Sequence, residues 1–140
     1  MVLRRLAPEV AGGLGPEAVL DRTFRPPVVR VLHYEVEGWL GDDLVTTISS
    51  YLVSPAAAAA LEQEQLTGFR LADTTVTIAP DTADVDPRIL TFRWLQVSGR
   101  PGVQDVAVDD LGRLVLNDRA LAVLQRFRLD DAEISDWPPA

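Results

Sequence analysis

The chain has 140 residues, 47% of them hydrophobic and 24% charged, with a formal net charge of -8. That size and balance fit one ordinary domain with its own core and exclude a disordered chain. The negative charge argues against contact with nucleic acid or an anionic membrane, which needs Lys and Arg to neutralise phosphates, and it makes a basic protein the natural macromolecular partner.

Residues 1–27 read as an N-terminal arm, punctuated by Gly12, Gly13, Gly15, Pro16, Pro26 and Pro27. A single domain is expected over 28–140. Val28 to Glu37 is the first strand, with Leu32, Tyr34 and Val36 on one face and His33, Glu35 and Glu37 on the other. Gly38 to Asp43 reads as a turn, and Leu44 to Ile48 continues extended. Tyr51-Leu52-Val53 feeds a helix capped by Ser54, whose hydroxyl can accept a free backbone N–H of the first turn. Pro55 takes the first helical position, where its missing N–H costs nothing. Ala57, Ala58 and Leu61 face the core, and Gly68 permits the exit. Phe69 to Ile78 is predicted extended, 79–88 a loop, and Ile89 to Val97 the next strand. Val103 to Val108 and Arg113 to Leu116 are extended around the Asp109–Gly112 turn. Asn117 caps a second helix whose apolar stripe holds Ala120, Leu121 and Leu124, and Ala132 to Ile134 closes the unit.

One pattern occurs twice, 63 positions apart: Ser54 lies over Asn117, Ala57 over Ala120, Leu61 over Leu124, Leu66 over Leu129 and Leu71 over Ile134. Each copy reads as strand end, cap, helix, loop, strand. The expected fold class is therefore α+β, a mostly antiparallel sheet with two packed helices built from a duplicated strand–helix–strand unit.

The chain has no cysteine, which removes disulfides, thiolate metal sites and cysteine nucleophiles. No stretch approaches the roughly 18 apolar residues of a membrane span. The apolar run after Arg4 and Arg5 is broken by Pro8, Glu9, Gly12 and Gly13, unlike the continuous segment of a signal peptide. A cytoplasmic location is expected.

His33 is the only histidine, so a histidine base or zinc site would have to use it. It reads as a strand residue, and no serine has nucleophile-elbow context. Asp81, Asp84 and Asp86 form a loose acidic loop without the spacing, glycine or terminal glutamate of a calcium-binding loop. Gly12-Gly13-Leu14-Gly15 lacks the strand before it and the Lys-Ser/Thr after it that a phosphate loop needs. No catalytic residue, cofactor or metal site is assigned. Trp39, in a glycine-flanked turn beside Asp42 and Asp43, has the composition of a protein-binding hot spot.

Two segments resemble a known group. Tyr51-Leu52-Val53-Ser54-Pro55 leading to Leu66-Thr67-Gly68-Phe69, and Gly112 to Leu121 leading to Leu129-Asp130-Asp131-Ala132-Glu133-Ile134, are similar to the immunity-protein-like families of bacterial polymorphic-toxin systems. The resemblance covers roughly residues 28–137. It implies stoichiometric binding to a toxin without catalysis, and it carries over no functional residues, because the matching positions are caps and core.

The expected function is a non-catalytic cytoplasmic protein-binding domain, an immunity protein blocking a basic toxin. Trp39 would anchor the contact, Asp42 and Asp43 would supply charge, and the Asp81, Asp84, Asp86 loop would be a second patch. The alternatives are an enzyme using His33 with Glu35 or a nearby serine, and a structural or assembly component.

Overall fold

The opening residues of the chain lie in the middle of a sheet. In the computed structural model, which describes residues 2–139, Leu3–Ala7 forms β1, and its Leu6 is 1% exposed. Glu9–Val10 (β2), Gly12–Leu14 (β3) and Val19–Asp21 (β4) follow, and each of these four strands joins a different sheet. The expectation of an arm over residues 1–27 is overturned. These strands are too short to show a period of two, and β1 is held by residues from the far end of the chain.

Val28–Val31 (β5) pairs with β4, and His33–Val36 (β6) pairs with β3, so the single strand expected over 28–37 serves two sheets. The break falls at Leu32, whose carbonyl accepts the Thr74 hydroxyl at 2.7 Å. Leu44–Thr47 (β7) and Ser50–Val53 (β8) form a hairpin. Helix α1 covers Pro55–Gln63, with Ser54 Oγ accepting the Ala57 N–H at 3.3 Å and Ala57, Ala58 and Leu61 buried. Gly68, at a φ of +100°, ends the connection, and a Cβ there would meet the Val106 carbonyl oxygen.

The extended stretch 69–78 also divides, into Phe69–Ala72 (β9) and Thr75–Ile78 (β10), which go to separate sheets. A second correction concerns the strand expected over 89–97. Pro87–Thr91 is a 3-10 helix, because Asp86 accepts the Arg88 N–H at 3.0 Å and Pro87 takes the first position. Only Arg93–Val97 (β11) is strand. Val106–Val108 (β12), Leu114–Leu116 (β13), Asp118–Leu124 (α2) and Glu133–Trp137 (β14) complete the chain.

The fold is α+β, with antiparallel pairing dominant. The larger sheets run β12-β13-β1-β14 and β2-β7-β8-β11-β9; a third runs β10-β6-β3, and β4-β5 stands as a pair. Parallel pairs are confined to β2–β7 and β10–β6 among the described residues.

The two strand–helix–strand segments occupy matching places. β8 and β9 flank β11, while β13 and β14 flank β1. Leu95 of β11 sits opposite Tyr51 and Leu71, and Leu6 of β1 sits opposite Leu114 and Ile134. Leu114 and Ile134 follow Tyr51 and Leu71 at the same offset by which Asn117 follows Ser54. The outer strands match as well, β7 on β8 and β12 on β13. The correspondence is one of topology and register.

Strand β8 is buried on both faces and separates two cores. Tyr51 and Val53 join α1, α2, Leu6, Leu95, Leu114 and Leu116 in the first. Leu52 points the other way, to Tyr34, Val36, Val45, Ile89 and Phe92 in the second.

Candidate functional site

Glu9 organises the loop at residues 38–43. Parallel pairing of β2 with β7 sets Glu9 beside Val45 and below the 38–43 loop. Its two carboxylate oxygens accept the Leu40 N–H at 2.7 Å and the Asp42 N–H at 3.2 Å. Asp42 in turn accepts the Asp131 N–H at 2.8 Å, and Asp43 accepts the Arg128 N–H at 2.8 Å. The Asp43 N–H donates back to the Arg128 carbonyl at 2.9 Å. The loop is thereby pinned on one side to β2 and on the other to the segment that follows α2. Gly41 has a φ of +110°, the left-handed region that favours glycine.

This geometry redistributes the residues expected to bind a partner. Trp39 is folded back: its indole N–H donates to the Asp42 carbonyl at 2.9 Å, and its ring packs edge-on against Phe92 at 5.3 Å. Arg88 covers it, 5.9 Å from the ring centre. Asp42 is completely buried, so it presents no charge to the surface and is withdrawn as a contact residue. Asp43 is half-buried and spent on the Arg128 backbone. The exposed apolar residue of the loop is Leu40, at 64%.

The second patch divides. Asp86 caps the 3-10 helix and pairs with Arg88 at 2.8 Å, which holds its carboxyl below the usual carboxylate range. Asp81 and Asp84 are exposed on the loop. The three do not come together as a metal-binding group among the described residues. Arg88 nonetheless links the two expected patches, touching Asp86 and Trp39 directly and feeling the charge of Asp43.

A different acidic group is assembled instead. Oxygens of Glu9, Asp42 and Asp131 lie within 4.8 Å of one another. Burial pushes the Glu9 carboxyl above its ordinary value, against the two N–H donors, and the charges of Asp42 and Asp131 add to the rise. Burial raises Asp42 too, and the backbone N–H groups of Asp131 and, more weakly, Asp130 only partly offset it. Asp42 Oδ1 accepts no hydrogen bond, and Arg128 Nε stands 4.0 Å away. Nothing in the sequence singled out Glu9, which lies in the stretch expected to be an arm, and Asp131 appeared only within the segment from Leu129 to Ile134.

His33 is 5% exposed and both ring nitrogens are taken. Nδ1 accepts the Glu17 N–H at 3.2 Å, which leaves the proton on Nε2 to donate to Thr77 Oγ1 at 2.7 Å. Gly15 lies so close that a Cβ would stand 2.4 Å from the ring. The geometry gives His33 a packing role. Tyr34 behaves likewise: it accepts the Ala11 N–H at 3.0 Å, donates to the Thr46 carbonyl at 2.9 Å, and burial pushes it up to about 12.

A cavity of about 290 Å³ opens elsewhere, lined by Val28, Val29, Tyr51, Trp94, Val97 and Val108 among others. Tyr51 closes one side by donating to the Gly112 carbonyl at 2.8 Å. No helix among the described residues is long and apolar enough to cross a membrane. The chain matches no protein-family model and no curated protein at a significant level.

Proposed function

We propose that this chain is a non-catalytic protein-binding domain that engages a basic partner, and, more finely, a cytoplasmic immunity protein that neutralises a basic toxin domain. The observation that carries the reading is the meeting of the two acidic loops around Trp39, with Leu40 of the first held by its backbone N–H and 64% exposed. A loop fixed this firmly presents Leu40 without an ordering cost on binding. Asp81, Asp84, Asp130 and Asp131 are exposed and supply negative charge, the complement of a basic surface. The net charge of -8 acts in the same direction at longer range. Leu40 thus replaces Trp39 as the anchor, and Trp39 becomes the residue that shapes the loop.

The test is capture of partners by the tagged protein from its host, at low salt and at about 0.5 M salt, where the screening length falls to roughly 4 Å. A basic protein should be retained at low salt and released at high salt. Leu40→Asp should weaken its binding on the order of 10- to 100-fold, as expected for losing one buried leucine contact. Unchanged affinity in that variant removes the face; capture of no partner at either salt removes the reading.

A further inference from the structure

We propose that Glu9, Asp42 and Asp131 form a binding site for a hard divalent cation of the calcium type. The three carboxylates come from β2, the 38–43 loop and the segment after α2, and their oxygens lie within 4.8 Å of one another. Calcium binds oxygen at about 2.4 Å, so donors around one ion lie up to roughly twice that apart. Calcium's flexible oxygen shell tolerates donors carried on three separate segments better than the tight octahedron of the smaller magnesium. All three donors are carboxylates and the single histidine is engaged elsewhere, which disfavours zinc.

A second observation points the same way. Asp42 is completely buried, yet its Oδ1 has no hydrogen-bond donor. A bare oxygen of a buried carboxylate is costly, and folded proteins rarely leave one. The nearest cation, Arg128, stops at 4.0 Å and gives its short bond, 2.9 Å, to Asp130. The N–H groups of Leu40 and Asp42 leave further lone pairs free on Glu9. Asp131 is exposed, so the site opens to solvent on that side and water can complete the coordination shell. A bound ion would tie three distant parts of the chain together and neutralise the charge that burial makes unfavourable there. The proposal stands whether or not the protein has a macromolecular partner.

Terbium is the probe, because Trp39 donates to the Asp42 carbonyl and its indole is therefore near enough to sensitise a lanthanide. Indole excitation should give saturable terbium emission that calcium displaces and magnesium at equal concentration does not. Asp131→Asn, a change at an exposed residue, should weaken terbium and calcium binding at least tenfold. Trp39→Phe should remove most of the emission while calorimetry still records calcium binding. Calcium should also raise the thermal midpoint of the native protein and leave that of Asp131→Asn unmoved. Absence of saturable emission together with no calcium-dependent thermal shift overturns the site. Binding that Asp131→Asn leaves intact overturns it too, and assigns the ion to another part of the acidic surface.

Discussion

Asp105 shows how one carboxylate can hold several segments. Its side chain accepts the Asn117 amide at 2.7 Å, the Thr67 N–H at 2.9 Å and the Thr67 hydroxyl at 3.0 Å, with Arg119 at 3.6 Å. Burial pushes this carboxyl up, but those hydrogen bonds and the Arg119 charge outweigh it and leave the pKa below the ordinary value. A carboxyl lowered in the folded state contributes stability above the unfolded pKa of about 4, and that stability is lost as pH falls through the folded pKa. Asp105→Asn should therefore lose less stability than the native protein as pH falls below about 4, measured by urea unfolding. At neutral pH, Asp105→Ala should cost roughly 3 kcal/mol, because it strips bonds to a charged acceptor and strands their donors. Asp43 plays the matching part in the other half. It binds the Arg128 N–H after α2, as Asp105 binds the Thr67 N–H after α1. Neither role is visible in the sequence, where Asp43 reads as a turn residue and Asp105 lies in a stretch read as extended, since the groups they satisfy are distant along the chain.

At the scale of elements, the two helices were legible and several strands were not. A cap acts on N–H groups within three residues, so Ser54-Pro55 and Asn117-Asp118 announce their helices locally. The caps differ in what else they hold. Ser54 Oγ accepts one N–H at 3.3 Å, whereas Asn117 accepts the Ala120 N–H at 3.0 Å and also donates to Asp105. Ser54→Ala should cost about 1 kcal/mol and Asn117→Ala about 2 kcal/mol or more, and chemical denaturation of the two variants orders them. Strand limits are different in kind. The run from Ile89 to Val97 alternates well enough for a strand, yet Asp86 and Pro87 start a 3-10 helix that buries Ile89. The stretch from Phe69 to Ile78 is extended throughout, but no local signal says that β9 joins β11 while β10 crosses to β6.

At the scale of the whole molecule, β1 is the piece whose removal should matter most. It lies between β13 and β14, and Leu6 packs in the core that both helices share. Deleting residues 2–7 should leave β13 without a neighbour on one side, expose Leu114 and Leu116, and abolish cooperative unfolding. Circular dichroism during heating reads this directly; a sharp transition in the truncated chain would show that the opening strand is dispensable. The same interleaving accounts for what could be read beforehand. Caps, turn residues, the α+β class and the recurrence of Ser54-to-Leu71 spacing at Asn117-to-Ile134 were determined by the sequence itself, because they depend on neighbours within a helical turn or on the period of a side-chain pattern. Tertiary structure alone decided that the apparent arm supplies strands to four sheets, that Asp42 is buried and Trp39 folded back while Leu40 points outward, and that Glu9, Asp42 and Asp131 converge. Each of those facts is a contact between residues far apart in the chain, where burial and hydrogen-bond satisfaction outweigh local preference.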